Sequence, residues 1–148
     1  NKQYFYSRLN QSVEHSNRYL AFIDIDDFKA INDKNGHLCG DQIITEVAKT
    51  MSSLFPAPTV ISVARFGGEE FCILFDATTS QEAFERIEHL RDEIENIDFI
   101  YEDRELKVTV SIGLTKTEQD QHSSLERADL ALCRAKNAGK NQVGMKAA

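Results

Sequence analysis

The sequence predicts an α+β protein in which a central, mostly antiparallel sheet is flanked by helices. β-rich runs alternate with segments of helical hydrophobic spacing in the order αβααββαβαβ. Two of the β-rich runs are joined by a Gly-Gly turn, and a hairpin of that kind places antiparallel strands in the sheet. The chain has 148 residues, which fits a single domain with a core that needs neither disulfides nor a structural metal.

The elements before residue 60 are predicted from apolar spacing and from turn residues. Residues 2–16 carry apolar side chains at helical intervals, and the run Tyr19–Ile23 is typical of a buried strand. Phe28–Asn35 predicts a short helix that stops near Gly36. A longer helix is predicted over Gly40–Leu54, and the prolines that follow end it because proline cannot continue the helical hydrogen bonds.

The elements after the hairpin are predicted in the same way. Thr79–Glu82 and Ser123–Glu126 match the capping-box pattern, so each predicts the first turn of a helix. Gly139 lies where the C-terminal cap of the second of these helices is expected. The remaining strands are predicted over Glu105–Leu114, with residues 99–102 paired to it, and over Gln142–Met145.

Two acidic segments stand at the ends of predicted strands. Asp24–Asp27 follows the first strand, and Gly67–Glu70 joins the β-rich runs Val60–Phe66 and Phe71–Phe75. We expect a type I′ turn at the two glycines, because both central residues of that turn take positive φ. If the first strand pairs with the hairpin, the two segments meet, and carboxylate oxygens are the ligands that Mg²⁺ prefers. Taken singly, each segment is better explained as a solvated turn or helix cap; together they favour a metal site.

Composition and cysteine spacing narrow the class of protein. The net charge of −7 argues against duplex nucleic acid or an anionic membrane surface as partner, because both select clustered Lys and Arg. No apolar run approaches the roughly 20 residues that a membrane span needs. Cys39, Cys72 and Cys133 form no CxxC pair, so we expect reduced thiols, a cytoplasmic location, and core positions for Cys72 and Cys133.

The motifs together resemble the GGDEF family, the diguanylate cyclases. The family's signature stands here as Gly67–Phe71, in the GGEEF form, and Phe22–Lys29 is similar to the family's first strand and phosphate loop. The similarity covers nearly the whole chain, through Ile31–Asp33, Gly36-His37, Gly40-Asp41, Ala64–Phe66, Val108–Gly113, Ala128-Asp129, Ala135-Lys136 and Gly139–Asn141.

The resemblance implies a ferredoxin-like fold, similar to the palm of nucleotidyl cyclases, and condensation of two GTP into cyclic di-GMP with release of pyrophosphate. It implies Mg²⁺ or Mn²⁺ bound by Asp24, by the Ile25 carbonyl and by Glu69. It implies catalytic roles for Glu69, which could also act as the base for the 3′-hydroxyl, for Glu70 as a second acid, and for Lys29 as a cation on the phosphates.

The resemblance also implies the residues that bind the phosphates. The backbone amides of Asp27 and Phe28 stand at a helix start, where N–H groups favour anions. Lys136 and Lys140 supply cationic contacts. The family usually has Arg at position 140, so Lys140 keeps the charge but loses the bidentate fork.

Base recognition is implied for Asn32 and Asp41, with His37 nearby. A carboxylate accepts hydrogen bonds from N1–H and the exocyclic amine of guanine, and adenine presents an acceptor instead of that N1–H. Apart from the resemblance, Asp41 is equally explained as a helix cap and His37 as a structural or solvent-exposed histidine. Arg65 is expected to pair with the acids, in a structural or a catalytic role.

An active diguanylate cyclase is therefore expected, and the alternative is a catalytically silent GGDEF domain that binds GTP or cyclic di-GMP as a regulatory module. A generic acidic interaction domain is the third interpretation. Cyclic di-GMP is two-fold symmetric, so we expect catalysis by a homodimer, with an N-terminal sensory or dimerisation module in the full-length protein. Residues 1–148 are expected to be one GGDEF domain that lacks the start of the domain. We expect it to be cut from a longer protein, which a membrane anchor would also fit. The family's RxxD product-binding motif would fall at residues 58–61 and is absent from the sequence.

Overall fold

The computed structural model describes residues 2–11, 17–56, 60–117 and 120–146. Across these ranges the elements are α1 (Lys2–Gln11), β1 (Arg18–Ile25), α2 (Phe28–Asn35), α3 (His37–Leu54), β2 (Val60–Arg65), β3 (Glu70–Asp76), α4 (Ser80–Glu95), β4 (Phe99–Tyr101), β5 (Arg104–Leu106), β6 (Val110–Lys116), α5 (Gln121–Asn137) and β7 (Val143–Lys146). In these same ranges, no helix combines the length and the apolar character that a membrane crossing requires.

Five strands form the central sheet in the order β2-β3-β1-β6-β7. Every neighbouring pair is antiparallel except β6 and β7, which run parallel. The prediction of a mostly antiparallel central sheet is therefore confirmed. Strand β1 lies in the middle, and its residues are buried along almost the whole strand, as its apolar sequence requires when both faces of a sheet are covered.

Helices cover both faces of the sheet, and alternate side chains of β1 enter different halves of the core. Tyr19, Ala21 and Ile23 pack with α2, α3 and α4 on one face. Leu20 and Phe22 pack on the other face, where α1 and α5 lie. The next residue on this second face is Asp24, so the alternation turns its carboxylate toward α5.

The type I′ turn that we predicted at Gly67-Gly68 is wrong. Strands β2 and β3 do form a hairpin, but of these two glycines only Gly67 has positive φ, at 88°. The loop has four residues and closes through a hydrogen bond of 2.7 Å from Phe66 N to the Glu70 carbonyl. A two-residue turn with positive φ at both positions occurs instead at Glu102 and Asp103, with φ of 49° and 63°, between β4 and β5.

The predicted strand Glu105–Leu114 is also wrong as one element. Residues 104–106 form β5, which pairs with β4 in a separate two-stranded sheet, and the central-sheet strand β6 begins at Val110. The cap of α4 is confirmed, since the Thr79 hydroxyl accepts a hydrogen bond of 3.0 Å from Glu82 N.

The cap predicted at Ser123–Glu126 is wrong, because α5 begins earlier. The Asp120 carboxylate accepts a hydrogen bond of 2.8 Å from Ser123 N, and a carboxylate is a strong N-cap. Cys133, predicted in the core, is exposed, since Leu132 and Ala135 occupy the buried face of α5. The predictions that concern residues 12–16 and 57–59 lie outside the described residues.

Candidate active site

The two acidic segments meet where β1 ends beside the hairpin. Asp24 stands opposite Glu70 in the register of β1 and β3, and Ile25 N donates a hydrogen bond of 3.2 Å to the Glu69 carbonyl. The juxtaposition of Asp24 and Glu69 expected from pairing is therefore found. A cleft of about 240 Å³ opens at this point and is lined by Asp24, Ile25, Asp26, Asp27, Phe28, Lys29, Glu69, Lys136 and Lys140.

Negative charge is concentrated on the hairpin side of the cleft. Partial burial raises the pKa of Glu70, and the neighbouring charges of Asp24 and Glu69 raise it further. Neighbouring negative charges disfavour the ionised form of a carboxyl group, and a cation bound between the carboxylates removes that repulsion. The arrangement is one that a divalent ion stabilises.

The donor set fits Mg²⁺ that arrives with a phosphate ligand. Among the residues that the structure describes, no group of three or more His, Cys, Asp and Glu side chains is arranged to hold a metal. The expected donors are the carboxylates of Asp24 and Glu69 and the Ile25 carbonyl, and all three residues line the cleft. Mg²⁺ is typically bound by one or two carboxylates plus substrate phosphates and water rather than by a complete protein cage.

Two lysines face the acids from the opposite side of the cleft. Lys136, near the end of α5, forms an ion pair with Asp24. Burial lowers the pKa of Lys136, but the hydrogen bond and charge of Asp24 outweigh it and raise the pKa overall. Lys140 donates a hydrogen bond of 2.6 Å to Asp27, which raises the pKa of this lysine. Both ammonium groups are thus charged and already turned toward the cleft.

The start of α2 is arranged as an anion site. Asp27 takes a left-handed conformation with φ of 56° and turns the chain from β1 into α2, and its side chain makes no capping hydrogen bond to the helix. Its carboxylate binds Lys140 instead. The first backbone N–H groups of α2 are therefore not capped by the residue that precedes them, which leaves them for a phosphate.

The residues predicted to select the base lie apart from the acidic cleft, at the corner between α2 and α3. Asn32 lies one turn along α2, and its Oδ1 is buried without a hydrogen-bond partner among the described residues. His37 and Asp41 are exposed on α3. Since α3 begins at His37 and not at Gly40, Asp41 lies in the second turn, and its alternative role as a helix cap is wrong.

Arg65 has a different partner from the one expected. Its Nη2 donates a hydrogen bond of 2.8 Å to the Gly68 carbonyl, and its Nε lies 3.1 Å from the Gly67 carbonyl. The guanidinium thus holds the backbone of the signature loop rather than an acidic side chain. The sequence could not show this, because backbone carbonyls leave no residue-type signal.

Two further residues escaped the sequence analysis. Arg91 Nη1 donates a hydrogen bond of 2.7 Å to Asn141 Oδ1, and Asn141 N donates one of 3.0 Å to Asp26 in the cleft. Asn141 was noted only as part of a motif, and Arg91 looks like an ordinary surface residue of a helix in the sequence.

Comparison with known proteins agrees with this geometry. The family model described as "Diguanylate cyclase, GGDEF domain" matches residues 1–142. Diguanylate cyclase A of Treponema denticola is 38% identical over 127 residues, which are 84% of this chain and 34% of that protein. Diguanylate cyclase DgcP of Pseudomonas aeruginosa is 38% identical over 143 residues, which are 92% of this chain and 21% of that protein.

A solved structure shares the fold. The coiled coil and GGDEF domain of DgcB from Caulobacter crescentus, in complex with c-di-GMP, superposes with a TM-score of 0.86 at 30% identity, covering 98% of this chain and 78% of that one. The chain spans about a third and a fifth of the length of the two curated relatives. The chain belongs to the GGDEF family of diguanylate cyclase domains.

Proposed function

We propose that this domain is a diguanylate cyclase, which joins two GTP molecules into cyclic di-GMP and releases pyrophosphate. The observation that carries the proposal is the cleft at the end of β1, where Asp24 and Glu69 face Lys136 and Lys140 next to the start of α2. Acids for a divalent metal, cations for phosphates and helix amides for an anion are the components that phosphoryl and nucleotidyl transfer require.

Diguanylate cyclases need a divalent metal, and we propose Mg²⁺ or Mn²⁺ held by Asp24, the Ile25 carbonyl and Glu69. The ion would neutralise charge on the triphosphate and lower the pKa of the attacking hydroxyl. Glu70 supports the metal as a second acid, and Glu69 is also the candidate for the base. The domain's own residues position the nucleotide.

The amides of Asp27 and Phe28 bind the phosphates, and Lys29, Lys136 and Lys140 neutralise their charge. Lys136 is paired with Asp24, so it must exchange this carboxylate for a phosphate oxygen when nucleotide binds. That exchange frees Asp24 for the metal, and it couples metal binding to nucleotide binding.

Guanine is selected by Asn32 and Asp41, with His37 beside them. The buried Oδ1 of Asn32 has no partner among the described residues, and a buried acceptor of this kind gains a full hydrogen bond from a matching donor. The guanine edge offers such donors, whereas adenine does not present the same pattern.

We further propose that two domains face each other during catalysis, because each 3′-hydroxyl attacks the α-phosphate of the other nucleotide. One site with one GTP supplies half of the reaction. A dimerising or sensory module before the domain would bring the two halves together, and a GTP-consuming site of this kind is expected to face the cytoplasm.

The test is incubation of the full-length protein with GTP and Mg²⁺, with products separated by chromatography. Formation of cyclic di-GMP and pyrophosphate, lost on Glu69→Gln substitution, supports the proposal. GTP binding without any product would instead support the silent regulatory domain. Absence of product, together with failure to bind either GTP or cyclic di-GMP, would reject both functions.

A further inference from the structure

Asp26 is an acid of the cleft whose two carboxylate oxygens both accept hydrogen bonds from the protein itself. It is buried, with 7% of its surface exposed. Its carboxylate accepts hydrogen bonds from Ser111 Oγ at 2.6 Å, Thr109 Oγ1 at 2.8 Å and Asn141 N at 3.0 Å. Its backbone N donates to the Thr109 carbonyl at 2.9 Å. Hydrogen bonds to a carboxylate are about twice as strong as neutral ones, so Asp26 ties the end of β1 to the loop after α5.

The loop after α5 has an unfavourable backbone that needs such support. Lys140 and Asn141 both take the left-handed conformation, with φ of 64° and 46°. A non-glycine residue in this region is less stable than in the right-handed region, and it persists where its surroundings over-determine it. The Asn141 side chain provides this constraint, since its Oδ1 accepts a hydrogen bond of 2.7 Å from Arg91 and its Nδ2 donates one of 2.9 Å to Glu95.

Arg91 is itself held rigidly on α4. Its Nε and Nη2 donate hydrogen bonds of 2.8 and 2.7 Å to Glu88, and its Nη1 donates one of 2.8 Å to Glu95. The side chain is only 11% exposed. The guanidinium makes all these contacts together with the contact to Asn141, and a lysine cannot reproduce that fork of donors.

The contacts form one chain from α4 to the candidate active site. Arg91 fixes Asn141, Asn141 N binds Asp26, and the neighbouring residues Lys140 and Asp27 are joined at 2.6 Å. We propose that Arg91 is a positioning residue, which acts through Asn141 and Asp26 to hold Lys140 and the phosphate-binding start of α2 at the distance that a triphosphate needs. This inference takes the identity of the ligand from the proposed function, whereas the hydrogen-bond network is observed independently of that function.

The first test compares Arg91→Gln with Arg86→Gln in the full-length protein. Arg86 is the matched control on the same helix, where it donates to the Asp76 carbonyl at 3.1 Å and covers the rings of Phe55 and Phe75. Arg91→Gln is expected to lower kcat/KM for GTP by about tenfold to hundredfold, the scale of losing a charged hydrogen bond. Arg86→Gln should lose thermal stability without this loss of activity. Equal losses of kcat/KM in the two variants would overturn the proposal.

A double-mutant cycle tests whether Arg91 acts through the loop. If it does, Arg91→Gln added to Lys140→Ala should lower kcat/KM by less than about threefold, because residues in one network are not additive. Fully additive losses contradict the proposal. Asn141→Gly keeps the left-handed backbone accessible and removes only the side chain, so it should match the effect of Arg91→Gln. Should Arg91→Gln fail to fold, Arg91→Lys takes its place, with a smaller loss expected.

Hydrogen exchange separates this proposal from the proposed function. If the unmutated protein forms no cyclic di-GMP, the proposed function fails, and the network is judged by backbone exchange in peptides covering residues 24–29 and 138–142. Arg91→Gln should raise exchange by about tenfold in both peptides, whereas Arg86→Gln should leave both unchanged. Unchanged exchange in Arg91→Gln would overturn the positioning role whether or not the protein is active.

Discussion

A β-carbon on Gly40 would lie 1.8 Å from Oδ1 of Asn32, so the amide of Asn32 rests directly on the bare backbone of α3. The same β-carbon would lie 3.0 Å from the ring of Phe28. Glycine is therefore needed at position 40 for close approach and not for an unusual φ. Because Asp41 is the next residue, this contact also sets the spacing between the two groups proposed to select guanine.

We predict that Gly40→Ala displaces Asn32 and weakens GTP binding by ~1–3 kcal/mol, the scale of a lost hydrogen bond in a buried site. Calorimetric titration with GTP measures the change. The control is the double variant Gly40→Ala with Asn32→Ala, which has no amide left to displace and should bind no worse than Asn32→Ala alone. A clearly weaker double variant would show that Gly40 acts in some other way.

Asp41→Ala is predicted to weaken GTP binding by ~1–3 kcal/mol and to leave ATP binding nearly unchanged, since only guanine offers the matching donors. Titrations of the unmutated protein and of the variant with both nucleotides measure this selectivity. Thr45→Ala is a suitable control, because Thr45 lies one turn further along α3 and its hydroxyl donates a hydrogen bond of 2.9 Å to the Asp41 carbonyl. Equal affinity of the unmutated protein for GTP and ATP would refute the assignment.

Glu69→Gln and Asp24→Asn are each predicted to abolish cyclic di-GMP formation while the far-UV circular dichroism stays unchanged. The reason is that each removes one of the two carboxylates proposed to bind the metal directly. Chelation of divalent ions should have the same effect and should be reversed by Mg²⁺ or Mn²⁺. Glu105→Gln, at an exposed acid on β5, controls for loss of negative charge. Full turnover by Glu69→Gln would contradict the proposed metal site.

Specific activity is predicted to fall on dilution, because two domains must meet for each turnover. Turnover per protein should be measured over a range of concentrations, alongside sedimentation to establish the oligomeric state. Activity that is independent of concentration down to a demonstrated monomer would disprove the two-domain requirement.

The cap of α5 gives a prediction for pH-dependent stability. The backbone hydrogen bond from Ser123 lowers the pKa of Asp120 from its ordinary value of 3.8. A lowered pKa in the folded state means that Asp120 stabilises the protein above about this pH and that its contribution is lost as pH falls below it. Asp120→Ala should therefore lower the thermal midpoint at pH 7 and have a smaller effect at pH 3. An equal effect at both pH values would contradict the ionised cap.

The sequence predicted the acids and lysines that line the candidate site, but not the residues that hold its loops in place. Asp24 and Glu69 stand at the ends of strands whose apolar and glycine patterns are local, and pairing of those strands was enough to bring them together. Arg65 and Arg91 act on a backbone carbonyl and on an asparagine side chain, respectively. The carbonyls that Arg65 contacts are close in the chain but leave no residue-type signal. Asn141 is 50 residues from Arg91 in the chain, so no local pattern reveals that contact.

The sequence by itself determined the helices, the buried central strand and the α+β class, because hydrophobic periodicity and turn residues act over a few neighbouring residues. The family followed from the resemblance of the motifs. Only the tertiary structure decided where similar local signals compete. Packing decides where α5 begins, and therefore that Asp120 and not Ser123 is its cap. Strand pairing decides where each strand ends, and therefore that the two-residue turn with positive φ at both positions is at Glu102-Asp103 and not at Gly67-Gly68. The different contacts of Asp24 and Asp26 are also decided by the tertiary structure. The two acids are identical in type and two residues apart, but Asp24 turns to Lys136 while Ser111, Thr109 and Asn141 converge on Asp26 from distant parts of the chain.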